Sequence, residues 1–178
     1  KSVAMSHSVH LFRHIQTSQV IVSLKKAMKA CYFLQPSQLN QLDAATQPVR
    51  LRKDLWRPMV SINGFKDQET AQAVTDALLQ RSELRQLETM FSDEHLKLAK
   101  RYRGPIEQDI VEKSLVSLRE ALETIVPRRH TEDSPKLTAL WEQQKFADLA
   151  GAGEENKWPQ FVEHGQLVLK RNRFVKEA

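Results

Sequence analysis

The sequence predicts an α+β fold, in which a small antiparallel sheet, a hairpin plus a further strand, is covered by several α-helices. Three observations lead to this prediction. Two β-rich runs lie close together near the start, a third apolar run ends in the turn pair Asn63-Gly64, and apolar residues recur at helical spacing from residue 67 onward. The 178 residues suffice for one ordinary domain with a core of its own.

The predicted hairpin comprises the runs His10–Ile15 and Gln19–Leu24, which the polar segment Gln16–Ser18 separates. The second run, with "VIV" at its centre, is apolar on both faces, which favours a central position in the sheet. The third strand is "MVSING", from Met59 to Gly64.

The first predicted helix starts at Asp67, a favourable N-cap residue, and Arg81–Ser82 could interrupt it. Gly104-Pro105 is predicted to end a second helix and to start a third, which Pro127 ends. Residues 136–150, "KLTALWEQQKFADLA", are predicted to form a further helix. The terminal "LVLKRNRFVKE" fits a strand or a helix.

The charged residues are distributed unevenly along the chain. Residues 1–63 carry nine Lys or Arg and two acids, a net charge of +7, whereas residues 64–178 have a net charge of −2. Such asymmetry indicates that one half contacts a nucleic acid or a membrane surface. We therefore expect residues 1–91 to form a basic α+β core, whose partner the resemblance described below implies to be RNA. Residues 92–178 are expected to be a helical extension packed on that core, with a basic C-terminal tail.

The sequence offers little material for catalysis. A glycine-rich phosphate loop, a Cys pair and a His-Glu-x-x-His motif are all absent, and Cys31 is the single cysteine. The cluster of His7, His10 and His14 is expected to be solvated or hydrogen-bonded, because a zinc site needs further donors. We expect neither enzymatic activity, nor a metal, nor a cofactor, and apolar runs are too short for a membrane span.

The basic block, Val49–Met59 or "VRLRKDLWRPM", is the strongest functional signal. It places four cations, Arg50, Arg52, Lys53 and Arg57, around Trp56, with Asp54 as the one acid among them. Arginine matches phosphate geometry, and a tryptophan can stack on a base or anchor the segment in the core. Nucleic-acid contact explains the block best, while an acidic protein surface and a solvated face are the alternatives.

Further cations form short clusters along the chain. Those at the ends of helices are explained as well by the negative end of the helix dipole as by phosphate contact. The predicted RNA-binding residues are Lys25, Lys26, Arg50, Arg52, Lys53, Trp56, Arg57, Lys100, Arg101, Arg103, Arg128, Arg129, Lys170, Arg171 and Arg173.

Several segments resemble a fungal mitochondrial family in their order along the chain. They are "VHLFRHIQTSQVIVSL", "LRKDLWRPMVSIN", "LLQRSELRQL", "YRGPIEQDIVEKSLVSLREAL", "TALWEQ" and "NKWPQF", and "LRKDLW" is the most specific. The family comprises large-ribosomal-subunit proteins also described as factors of mitochondrial homologous recombination and transcriptional regulation. The resemblance implies a structural protein of the mitochondrial ribosome in the matrix, with ribosomal RNA and neighbouring ribosomal proteins as partners. It also implies that the basic-block residues lie near RNA.

Two other functions stay open at this point. The family is also credited with homologous DNA pairing and transcription, so mitochondrial DNA is an alternative partner for the same cations. A hairpin followed by a helix and a strand also resembles GIY-YIG nucleases. Those enzymes need paired tyrosines on the hairpin, which has none here, so we expect no cleavage activity.

Overall fold

The computed structural model describes residues 7–15, 20–24, 56–88, 97–130, 134, 136–151 and 157–168. Within these ranges the chain forms five strands and three helices. In chain order they are β1 (His7–His14), β2 (Val20–Ser23), β3 (Trp56–Phe65), α1 (Gln68–Glu88), α2 (Lys100–Arg129), β4 (Leu137–Trp141), α3 (Gln144–Gly151) and β5 (Val162–Gln166).

The strands form one sheet in the order β2-β1-β3-β4-β5. All neighbouring pairs are antiparallel except β4 and β5, which are parallel. A parallel pair needs a crossover connection, and α3 supplies it, so β4, α3 and β5 form a βαβ unit. The predicted α+β class is confirmed, with a sheet that is larger and mixed. Its strands come from both sides of residue 91.

The two faces of the sheet differ in polarity. Paired residues share a face, and Leu11, Val60 and Trp141 belong to the face that packs into the core with the helices. The opposite face carries hydrogen-bonded polar pairs beside the buried Phe12 and Ile21: the Ser8 hydroxyl donates to Asn63 Oδ1 at 2.6 Å, and His10 Nδ1 lies 2.7 Å from the Ser61 hydroxyl. The described helices contribute their buried residues to the core on the first face.

The first helix begins where the sequence predicts. The Asp67 carboxylate accepts hydrogen bonds from the backbone N–H and the hydroxyl of Thr70, each at 2.7 Å. This is the N-cap arrangement, which satisfies a backbone donor that the first turn would leave unpaired. The helix then continues through Arg81 and Ser82 without a break.

Two predicted helix boundaries are wrong. Helix α2 runs from Lys100 to Arg129 through Gly104, Pro105 and Pro127. An interior proline loses one backbone hydrogen bond and costs roughly 3 kcal/mol. The helix buries five large apolar side chains, each worth about 1.5–3 kcal/mol, which is enough to offset that cost. These are Val111, Leu115, Leu118, Leu122 and Val126.

The helix predicted over residues 136–150 is half right. Its second part forms α3, but its first part is strand β4. Leu137, Ala139 and Trp141 are buried in alternation, and β4 pairs with β3 through Val60↔Trp141 and its neighbours. Sheet pairing thus overrides a local pattern that also fits a helix.

The predicted position of the second strand is also wrong. Strand β2 lies at the edge of the sheet among the described strands, with β1 as its neighbour. Its Val20 and Val22 are half-buried because they pack against the core from that edge. The hairpin itself is confirmed, with Leu11 paired to Val22. Pro36 and Ser37 also predict the start of a short helix, which lies outside the described residues.

Gly64 offers a test of the fold. Its φ is +99°, and a Cβ there would lie 2.8 Å from the backbone oxygen of Lys136. We expect Gly64→Ala to lower the free energy of unfolding by about 1–3 kcal/mol, because both the conformation and the contact oppose a side chain.

Gly165→Ala is the matched control, since its Cβ would meet the mobile end of Leu140 at 3.0 Å. It should cost clearly less than Gly64→Ala in urea unfolding. Equal losses for the two variants would contradict the assigned backbone conformation.

Candidate nucleic-acid interface

Arg57, the last cation of the basic block, forms an ion pair with a carboxylate from the far half of the chain. Its Nε lies 3.2 Å from Glu142 Oε1, and Arg13 Nη2 lies 3.6 Å from Glu142 Oε2. The Glu142 side chain is 2% exposed and each arginine side chain 16%. We call these three residues the arginine pair cluster. Two cations share one carboxylate, which leaves a net charge of +1.

A β-bulge brings the two arginines together. In the β1–β3 pairing, Leu11 faces Val60 but Phe12 faces Pro58, so Met59 has no partner in β1. One extra residue exchanges the two faces of a strand. Arg57 therefore shares a face with its partner Arg13, and Trp56 turns to the opposite face with His14.

The surroundings hold Glu142 in place. Its backbone N–H donates to the Met59 carbonyl at 3.0 Å, and its carbonyl accepts a 3.0 Å hydrogen bond from the Gln166 side chain. The Arg13 guanidinium lies 5.0 Å from the centre of the Phe146 ring, a cation–π contact. β3, β4, α3 and β5 thus meet at this cluster.

Trp56 anchors the end of the basic block in the protein. It is 5% exposed, and its ring meets that of His14 edge-on, with the centroids 5.0 Å apart. Burial lowers the pKa of His14. The indole faces are therefore packed against protein in this structure.

The structure describes only some of the predicted RNA-binding residues in full. Arg128 and Arg129 are exposed in the last turn of α2. Lys100, Arg101 and Arg103 lie in its first two turns, where the backbone alone is described. The remaining predicted residues lie outside the described ranges: Lys25, Lys26, Arg50, Arg52, Lys53, Lys170, Arg171 and Arg173.

Exposed cations also gather at the other end of β3. Lys66 follows β3, Arg128 and Arg129 end α2, and Lys136 precedes β4. We call these four residues the distal basic end. The backbone N–H of Lys66 donates to His130 Nε2 at 3.3 Å, which ties β3 to the end of α2.

Two titratable groups beside the distal basic end report on its electrostatics. The pKa of Asp67 is lowered, chiefly by its hydrogen bonds from Thr70 and further by the charges of Arg129 and His130. Burial lowers the pKa of His130, and Lys66 adds to that effect while Asp67 opposes it. Arg129 and His130 therefore lie close to the start of α1.

An aromatic cluster lies on the core face of the sheet, beside β4 and β5. The indole N–H of Trp141 donates to His164 Nδ1 at 2.9 Å, and the two rings are stacked with an interplanar angle of 21°. Trp158 meets Trp141 edge-on and donates to the Ala147 carbonyl at 3.0 Å. Burial lowers the pKa of His164.

Sequence reasoning did not find four of these residues. Arg13, Lys66 and Lys136 are isolated cations in the sequence, and Glu142 lies in a segment that contains no recognisable motif. The pairing of β1, β3 and β4 brings them to the ends of the sheet, and no local pattern carries that information.

Within the described ranges, His, Cys, Asp and Glu side chains form no group of three that could hold a metal. None of the described helices has the length and apolar character to cross a membrane.

Comparison with known proteins finds a family that is similar to this chain. Residues 6–91 match the Mhr1 family, described as transcriptional regulation of mitochondrial recombination. This region includes the hairpin, the basic block, β3 and α1. Residues 6–91 are therefore similar to that family, and the resemblance indicated by the sequence is confirmed over this region.

A particular relative is the large ribosomal subunit protein mL67 of Schizosaccharomyces pombe. The chain is 32% identical to it over 88 residues, which cover 48% of this chain and 50% of that protein. The match thus spans about half the length of this curated relative.

The arginine pair cluster predicts a strong effect of Glu142→Gln. The substitution leaves two largely buried guanidinium groups without their carboxylate, and we expect the free energy of unfolding to fall by about 3 kcal/mol or more. Urea unfolding measures this. Glu120→Gln is the control, because its pair with Arg81 is exposed and worth less than about 1 kcal/mol. Similar losses for the two variants would contradict a buried ion pair.

The lowered pKa values predict a dependence of stability on pH. His14, His130 and His164 each have a pKa below the ordinary 6.5, so the unfolded chain binds more protons than the folded chain just below pH 6.5. The free energy of unfolding should therefore decrease as the pH falls from 7 toward 5.5. His164→Gln should make this decrease smaller in urea unfolding at each pH. A free energy of unfolding that stays constant over this range would refute the prediction.

Proposed function

We propose that this chain is a non-catalytic structural constituent of the mitochondrial large ribosomal subunit and binds ribosomal RNA through its basic surface. The observation that carries the proposal is the 32% identity to large ribosomal subunit protein mL67. The proposed location is the ribosome of the mitochondrial matrix. Its partners there are ribosomal RNA and neighbouring ribosomal proteins.

The charge of the matched half supports RNA as the partner. Residues 1–63 have a net charge of +7, and the basic block leads directly into β3. Arg57 is neutralised in part by Glu142, so the proposal depends mainly on Arg50, Arg52 and Lys53, whose contacts are predicted from the sequence. Such cations bind the phosphates and 2′-hydroxyls of an RNA helix, since its deep major groove excludes side chains.

The exposed carboxylates of α2 are consistent with RNA binding at the basic block rather than at this helix. Glu112, Glu120 and Glu123 lie exposed on α2, and their carboxylates would repel phosphates. We expect this face to meet solvent or basic neighbouring proteins.

A DNA-binding factor is the second candidate, because the matched family is described by transcriptional regulation of mitochondrial recombination. The same cations would serve DNA pairing, and mitochondrial DNA would be the partner. A native pool that is bound mainly to DNA and separate from large subunits would favour this function.

Sedimentation of purified mitochondrial particles over a salt series tests the proposal. The wild-type chain should co-migrate with the large subunit, and the triple variant Arg50→Gln, Arg52→Gln, Lys53→Gln should dissociate at lower salt. Each lost phosphate contact removes roughly 0.7–0.9 from the slope of log affinity against log salt, so the slope should fall by about two. Arg57 is left in place because it pairs with Glu142.

The control variant removes the same charge from exposed lysines elsewhere: Lys97→Gln, Lys113→Gln and Lys145→Gln. It should dissociate close to the wild-type salt concentration. Equal slopes for the wild type and the basic-block variant would reject the basic block as an RNA contact. A wild-type chain that does not co-migrate with large subunits would reject the proposed function.

A further inference from the structure

The distal basic end gathers cations from three elements that are far apart in the sequence. We propose that Lys66, Arg128, Arg129 and Lys136 form a second RNA phosphate-binding surface, separate from the basic block. This inference rests on the proposed function and assigns a second contact to it.

Backbone contacts hold these elements together. The Lys136 carbonyl packs against Gly64, where a side chain would clash, and Lys66 is tied to His130 through its backbone N–H. The ring of Phe65 meets that of His130 edge-on, with the centroids 6.5 Å apart. The backbone positions of the cations are thus fixed, and their long side chains extend into solvent.

Two described acids lie at this end, Asp67 and Glu163, while Glu132 and Asp133 lie outside the described residues. Asp67 caps α1 through Thr70, and its charge also acts on Arg129. Lys136 pairs with Glu163 at 3.4 Å, but the two side chains are 67% and 60% exposed, and such a pair contributes about 1 kcal/mol or less. A phosphate can therefore replace Glu163 at small cost.

The other described arginines are held differently. Arg81 pairs with Glu120, Arg119 bonds the Ala150 carbonyl, and Arg13 shares Glu142 with Arg57. No carboxylate of the described residues forms a salt bridge with Arg128 or Arg129. The negative end of the α2 dipole favours these two arginines, but Lys66 and Lys136 belong to no helix. Helix capping therefore explains only half of the surface.

Geometry separates the two surfaces. Arg57 lies near the start of β3 and Lys66 just beyond its end, and at about 3.3 Å per residue they are roughly 30 Å apart. The distal basic end therefore lies at the opposite end of β3 from Arg57, the described cation of the basic block.

Binding of the full chain to a generic RNA duplex over a salt series tests the surface. The variant Lys66→Gln, Arg129→Gln, Lys136→Gln should lower the log–log salt slope by about two. Lys97→Gln, Lys113→Gln, Lys145→Gln has the same net charge and should leave most of the slope intact. Lys66→Arg with Lys136→Arg should bind as the wild type does, because it keeps the charges.

Urea unfolding of each variant shows whether a loss of RNA binding results from misfolding. Equal slopes for the distal variant and the wild type would overturn the second surface, and the basic-block variant would still test the proposed function by itself. Equal losses for the distal and control variants would also overturn it, since net charge alone would then explain binding. The variant Lys66→Gln, Arg129→Gln, Lys136→Gln could instead lose binding to a DNA duplex or to polyglutamate while its salt slope with RNA stays unchanged. That result would overturn RNA as the partner of the distal basic end.

Discussion

The ion pairs of Glu142 with Arg13 and Arg57 are the interaction on which the rest of the structure depends. A carboxylate that is 2% exposed would be costly to bury alone, and the two guanidinium groups compensate for that cost. The cluster also joins β1, β3 and the region after β4, so it fastens the C-terminal half of the chain to the family-matched half. The crowding of charge in the basic block is therefore relieved at Arg57 by a residue that is distant in the sequence.

Much of the fold could be predicted from the sequence because the signals were local. The hairpin, the strand that ends at Asn63-Gly64 and the Asp67 cap follow from turn, alternation and capping patterns. The errors arose where distant contacts decide the structure. β4 is a strand because β3 offers a partner, and α2 passes through two prolines because its apolar stripe is buried.

The candidate site could be predicted less well, and the bulge explains why. Alternation alone places Arg57 on the face opposite Val60, whereas the extra residue Met59 places it beside Arg13. Trp56 was open to two interpretations, and its burial supports the role of anchor. The cations of the distal basic end could not be grouped in advance, since Lys66, Arg129 and Lys136 meet only when β3, α2 and β4 are in place.

The order of the strands has a consequence for synthesis from the N-terminus. β1, β2 and β3 leave the ribosome first and can form the β2-β1-β3 part of the sheet, but β4 follows only after two long helices. Until then the edge of β3 is open and both arginines lack their carboxylate. Sheet completion is thus a late, non-local step, and the nascent chain passes through a stage in which its exposed strand edge is vulnerable to aggregation.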